Sequence, residues 1–391
     1  MSQGVGACST QYSILGPAAS PSLCLGTIFL SATGTTYGAT PPLVPFDSTG
    51  DMLVLDDGCD CLLRITPAGD ISIEVPSADI FSVTGETSAN FGDSGLAIDD
   101  QGVVFFTEQQ SDSVLRWDGT SISAVVTEAD ILAATGGTSS DPEGLAVGSD
   151  GMVYVNERNA NSILQVDPTA DSVNVYVDES DFTALPGITS VDFEAPIIGA
   201  EGGVIYVFSS ADPDALFRLD APGTPVLVTE TDPPLVDPEN HMTRAPNGDL
   251  ITGDDSSPDQ YYRVTPTGDI SVLLDEPFLD ACASSTVDTS AGIAFDGSGN
   301  FFWIDNDTNT IFVVDGSTLN DPTPDCQVFA SAADIQSVTG TGPGLSGGIA
   351  FEIGATSSEA RSIPTMGFWG MVLLGALLPA IGWARKRRQL G

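Results

Sequence analysis

Histidine occurs once in the 391 residues, at position 241, inside Asn240-His241-Met242-Thr243-Arg244. A neutral imidazole can take a proton near pH 7, and a nearby guanidinium can hold a developing negative charge. His241 and Arg244 are therefore the candidate catalytic residues. Oxygen donors form a second group. Glu143 and Asn240 occupy one position of a recurring unit, where the other copies carry Pro42, Ser94, Ala195 and Ala291. At another position an acid recurs, as Asp56, Glu108, Glu157, Asp254 and Asp305, with Ser209 in the remaining copy. Such acids could ring a cation. The simpler reading is that each accepts backbone N–H bonds in the hairpin turn that follows. Asp305-Asn306-Asp307-Thr308-Asn309 begins like a Ca2+ loop but lacks the following glycine and the terminal glutamate, so it reads as turn chemistry. The sequence holds no P-loop or HExxH motif.

These residues are carried on a repeat. Glu143–Pro168 is its cleanest copy, with three short apolar, β-prone runs separated by turn residues. A turn glycine recurs as Gly50, Gly102, Gly151, Gly203, Gly248 and Gly299, at spacings of 52, 49, 52, 45 and 51. Periods near 50 with several short strands each predict an all-β fold, a β-propeller of four-stranded blades. Small residues in the run before each glycine, as in Gly95-Leu96-Ala97-Ile98 and Gly292-Ile293-Ala294-Phe295, let inner strands crowd a central axis. The third run of four copies carries an arginine, at Arg64, Arg116, Arg218 and Arg263, expected to tie blade to blade. After the outer run comes a module such as Ser77-Ala78-Asp79-Ile80 ending in Thr84-Gly85, read as a short helical turn and a long loop. Six copies are complete. A further inner-strand pattern, Gly347–Glu352, suggests a composite seventh blade closed by N-terminal segments such as Tyr12–Leu15 and Thr27–Ala32, with six blades as the alternative. His241 and Arg244 interrupt the only copy whose inner run breaks the aliphatic rule. Rule-breaking in a regular repeat marks candidate function, or else a satisfied polar pair plugging the channel.

The unit GLAVGSDGMVYVNERNANSILQVD resembles the NHL and related six-bladed propeller repeats over about residues 40–352. That resemblance implies architecture more than activity, because such propellers host many functions. Gluconolactonase-like propellers hold a divalent metal through Glu, Asn and Asp at the channel mouth. By that resemblance Glu143, Asn240 and Asp254 are candidate metal ligands, with Ca2+ the possible ion. Virginiamycin B lyase-like propellers use a catalytic histidine, for which His241 is the sole candidate.

The charge is lopsided. All 54 acids and six arginines precede residue 361, and five cations and no acid follow, giving a formal charge of −43 overall. Such a body repels nucleic acid and attracts cations. Six cysteines fit an oxidising compartment and leave their pairing open. Met366–Trp383 is an uncharged apolar run just long enough to span a bilayer, and Arg385, Lys386, Arg387 and Arg388 follow it as a membrane stop. Ile363, Pro364, Thr365 and Met366 precede the run. This order resembles the IPTL-type C-terminal sorting domain, a relative of PEP-type signals. The resemblance implies a Gram-negative envelope and an exosortase-like processing protease as partner. Export also calls for an N-terminal leader; Met1–Thr40 has no basic start, and its apolar run Leu23–Leu30 is short.

The expected organisation is an N-terminal closing segment over 1–38, a propeller over 39–354, a tether over 355–362, and a sorting motif, membrane helix and basic tail over 363–391. The expected function is an extracytoplasmic binding module for a protein or glycan ligand, anchored by a single helix with its C-terminus in the cytoplasm, or processed to the outer surface. An enzymatic alternative is a metal-dependent lactonase or a lyase at the channel mouth.

Overall fold

The computed structural model describes residues 50–193, 197–199, 204–211, 213–231, 241–254 and 257–351. They form six four-stranded antiparallel sheets, the blades of a propeller. Blades 2 to 6 each take four consecutive strands, from the axis outward. Blade 1 takes Met52–Asp56, Cys61–Ile65 and Ile71–Val75 from the start of the described chain and its inner strand, Ile349–Phe351, from the end. Met52 pairs with Phe351, Leu53 with Ala350 and Val54 with Ile349. The inner-strand pattern at 347–352 thus belongs to blade 1 and not to a seventh blade, because the free edge of Met52–Asp56 accepts it. The segments expected to complete a seventh blade, together with 1–38, 355–362 and 363–391, lie outside the described residues. So does the membrane-spanning run. Among the described residues no helix is long and apolar enough to cross a membrane.

Small inner-strand residues are required sterically. A Cβ on Gly95 would lie 2.2 Å from the Leu145 nitrogen in the next blade, and one on Gly348 would lie 2.8 Å from the Leu96 nitrogen. The same contact is bonded: Gly348 N donates to Ser94 O and Gly95 N to Glu143 O. Second strands are buried throughout, so both sheet faces pack against neighbouring blades. The third and fourth strands shift register at one equivalent place in all six blades, for example between Leu62 and Leu63 and between Ile311 and Phe312. A bulge at that point increases twist at the outer edge.

Short helices follow five outer strands: α1 (Ser77–Thr84), α2 (Glu128–Thr135), α3 (Glu179–Thr183), α4 (Glu276–Ala283) and α5 (Ala332–Thr339). Capping boxes open α2, α3 and α5, and left-handed glycines close α1, α2 and α5. Each helix buries one residue: Ile80, Ile131, Phe182, Leu279 and Ile335. The arginines bridge blades in three of four cases. Arg116 donates to the Pro168 carbonyl of blade 3, Arg263 to Asn320 of blade 6, and Arg64 lies over the ring of Trp117 in blade 2. Arg218 instead pairs with Asp220 two residues on.

Two disulfides are present among the described residues. Cys282–Cys326 joins positions 44 apart and Cys59–Cys61 positions two apart. Loop-closure entropy alone gives the first about 4 kcal/mol and the second about 1.6 kcal/mol. The small bridge therefore contributes little to holding the fold.

Candidate functional site

Inner strands begin on the face that also carries the turns between second and third strands. The acid at the end of each second strand builds this face. Glu108 accepts from the backbone nitrogens of Asn90, Gln110 and Ser111. Glu157 accepts from Asp141 and Ala160, Asp305 from Asp288, and Asp56 from Gly58 and Gly344. In blade 4 the Ser209 hydroxyl accepts from Asp192 and Ala211. One partner lies in the hairpin turn, as the sequence suggests. The other lies in the loop that feeds the same blade's inner strand, and the next residue's N–H returns a bond to that loop, as Gln109 does to Asn90 O and Arg158 to Asp141 O. These acids clamp backbone. Asp305-Asn306-Asp307-Thr308-Asn309 is likewise a turn: the Thr308 hydroxyl bonds Asp305, and Asn309 sits in the left-handed region at φ 50°.

Glu143 is different. It lies in a bulge at the start of the blade 3 inner strand, between the Pro142–Glu157 and Leu145–Val155 pairs, and is 1% exposed. One carboxylate oxygen accepts from Arg158 Nη1 at 3.3 Å, and the other has no hydrogen-bond partner. Burial pushes its pKa up to about 8, with help from Asp141 and Asp93 and against the pull of Arg158. Arg158 also stands 3.9 Å from Asp192.

His241 begins the blade 5 inner strand. It is buried, and its Nε2 lies 3.5 Å from the Ser346 carbonyl, in the loop leading to the closing strand. Burial draws its pKa down to about 4, so the ring is neutral at physiological pH. Arg244 ends the same strand, roughly 10 Å farther on and on the opposite strand face.

Asp254 ends the second strand of blade 5, the repeat's backbone-clamp position, and is 2% exposed. Asn240 lies outside the described residues. The charges that perturb Glu143 come from Asp93, Asp141 and Arg158, all near blade 3, and not from Asp254. Among the described residues the one grouping of three potential metal donors is Asp56, Cys59 and Cys61, whose sulfurs are joined to each other. Sequence reasoning did not single out that turn; Cys59 and Cys61, two residues apart beside a clamp acid, were the available signal.

The axis itself holds a cavity of about 260 Å3, lined by the inner strands of five blades. Its described lining residues are apolar types apart from Thr243, yet the surface they present to the cavity is mainly polar, because Leu96, Leu145, Met242, Ile293 and Ile349 pack into the cores between blades.

Residues 361–388 match the family model of the IPTL-CTERM motif. No curated protein matches the chain. Among solved structures, a chain of a nidogen/laminin complex is similar at a TM-score of 0.53 and 14% identity, with 78% of this chain and 98% of that chain covered. A virginiamycin B lyase from Staphylococcus aureus is similar at a TM-score of 0.47 and 13% identity over 73% of this chain and 87% of that one, too distant to bear on chemistry. The class is therefore a six-bladed β-propeller. Its C-terminus carries an IPTL-CTERM motif.

Proposed function

We propose that this chain is an envelope-anchored binding module. Its apolar C-terminal segment holds it in the membrane, an exosortase-like protease processes it, and its loop-bearing face meets a protein or glycan. The observation that carries this reading is the IPTL-CTERM match at residues 361–388 on a six-bladed propeller whose hairpin turns and feeding loops are clamped together on one face. Such an arrangement presents a loop-built surface to a partner. Nucleic acid is disfavoured as a ligand by the formal charge of −43.

The test has two arms. Full-length protein and a chain ending at Ser362 are expressed in a Gram-negative host and fractionated. The first is expected in salt-resistant membrane or surface material and the second in the soluble extracytoplasmic fraction; equal distribution defeats the anchoring. The purified protein is then assayed for lactone hydrolysis and for streptogramin ring opening, with metal content measured alongside. Background rates and no tightly held Ca2+ support the binder. An activity lost in His241→Ala, or stoichiometric Ca2+ lost in Glu143→Gln, favours the enzyme instead.

A further inference from the structure

The turn that follows Asp56 in blade 1 carries chemistry unlike the five equivalent turns. Cys59 and Cys61 flank Asp60 and are joined, on the face where the inner strands begin. We propose that Cys59–Cys61 is a redox-active disulfide that accepts an electron pair from a dithiol partner, with Asp56 supplying the proton to the departing Cys61 sulfur.

Three independent features support this. First, the two sulfurs differ in access. Cys61 is 1% exposed, whereas Cys59 is only partly buried, so an incoming thiolate reaches Cys59. Second, a carboxylate oxygen of Asp56 and both sulfurs lie within 4.8 Å of one another. Third, the two oxygens of Asp56 are unequally engaged. Oδ1 accepts from Gly58 N at 2.9 Å and Gly344 N at 2.8 Å, while buried Oδ2 has no hydrogen-bond partner. Burial, reinforced by neighbouring Asp57 and opposed by backbone N–H bonds from Gly344, Gly58 and Cys59, raises the pKa of Asp56. Asp60 and Glu108 add negative charge around Asp57. The loop Gly342–Gly344 covers the turn so closely that a Cβ on Gly58 would lie 2.1 Å from Gly342 O.

The exchange proceeds in two steps. A partner thiolate, its proton released to water, attacks Cys59 Sγ. The Cys59–Cys61 bond breaks, and Cys61 leaves with the electron pair and takes the Asp56 proton. The partner's second thiol then attacks its own sulfur in the mixed disulfide. Cys59 departs as thiolate and takes the proton of that second thiol, and Asp56 regains a proton from water. The partner is oxidised to a disulfide and the turn is reduced to a dithiol.

The oxidised full-length protein is incubated with dithiothreitol under native conditions, alkylated at intervals and analysed by peptide mass spectrometry. Cys59–Cys61 is expected to open at least ten-fold faster than Cys282–Cys326. Asp56→Asn, which keeps the oxygen that holds Gly58 and Gly344, is expected to slow the first opening at least five-fold, flatten its pH dependence and leave the second unchanged. Cys61→Ser is expected to take up glutathione at Cys59, and Cys59→Ser to leave Cys61 unmodified. Equal opening of the two bridges, an Asp56→Asn rate like the parent's, or glutathione loading preferentially on Cys61 would each overturn the proposal. The two serine variants decide the matter if Asp56→Asn does not fold.

Discussion

Glu143 and His241 sit at the starts of two inner strands and respond to pH in opposite senses. Glu143 titrates near pH 8 in the fold against an ordinary value of 4.5, so the folded chain keeps a proton that the unfolded chain releases. The stability this gives is complete below pH 4.5 and is lost as pH rises to 8. His241 titrates near 4 in the fold against 6.5, so the unfolded chain binds a proton that the folded chain refuses. Its contribution is complete above pH 6.5 and is lost as pH falls to 4. Glu143→Gln is therefore expected to gain on the parent by about 2–4 kcal/mol between pH 5 and 8. His241→Gln is expected to escape about 2–3 kcal/mol of the parent's loss between pH 6.5 and 4. Urea unfolding across pH 4 to 9 reads both, and curves parallel to the parent's would show that neither residue governs its pH arm. Of the two, Glu143 is paired with Arg158 through one oxygen, and His241 lies against a backbone carbonyl.

At the scale of the element, the unit of construction is the clamp in which a second-strand acid ties its own hairpin to the loop feeding its own inner strand. Glu108 holds three backbone nitrogens at 0% exposure. Glu108→Ala leaves those donors without partners, and the expected destabilisation is about 3 kcal/mol or more. Glu108→Gln keeps one acceptor oxygen and should cost clearly less. Equal melting temperatures for the two variants would mean that packing, not the clamp, sets the effect. Half of this device was legible in the sequence. The recurring acid and the left-handed Asp60, Asp112, Asn161 and Asn309 announce a hairpin turn by their types. The second partner was not legible, because it lies 18 residues upstream of Glu108, 16 upstream of Glu157 and 288 downstream of Asp56. The outer bulge was equally hidden: a register shift has no residue signature when leucine, valine, phenylalanine, tyrosine and isoleucine all occupy it. Glu143 stood out only as a departure from the repeat, and its pairing with Arg158 depends on a bulge that alternation alone does not reveal.

At the scale of the molecule, ring closure decides whether the blades act as one cooperative body. The repeat pattern supplies seven inner-strand candidates for six sheets, and sequence alone cannot show which is surplus. The pairing of Ile349–Phe351 with Met52–Val54 makes the C-terminal copy the closing strand, so both ends of the described chain meet in one blade. That blade also carries the bond from Leu55 N to Gly348 O and the Asp56 clamp on Gly344. A chain ending at Ser346 removes the strand, opens the apolar edge of Met52–Asp56 to solvent and deletes the glycine packing of Gly348 against Leu96. A chain ending at Ser362 keeps all three. The shorter chain is expected to lose its single cooperative thermal transition, or to melt at least 15 °C lower, whereas the longer one matches the parent. An edge strand left unpaired in this way is also a template for association, so the shorter chain should oligomerise. Adding a peptide of residues 345–356 in trans should restore both the transition and the monomer. If the chain ending at Ser346 instead melts like the parent, Ile349–Phe351 is dispensable for ring closure.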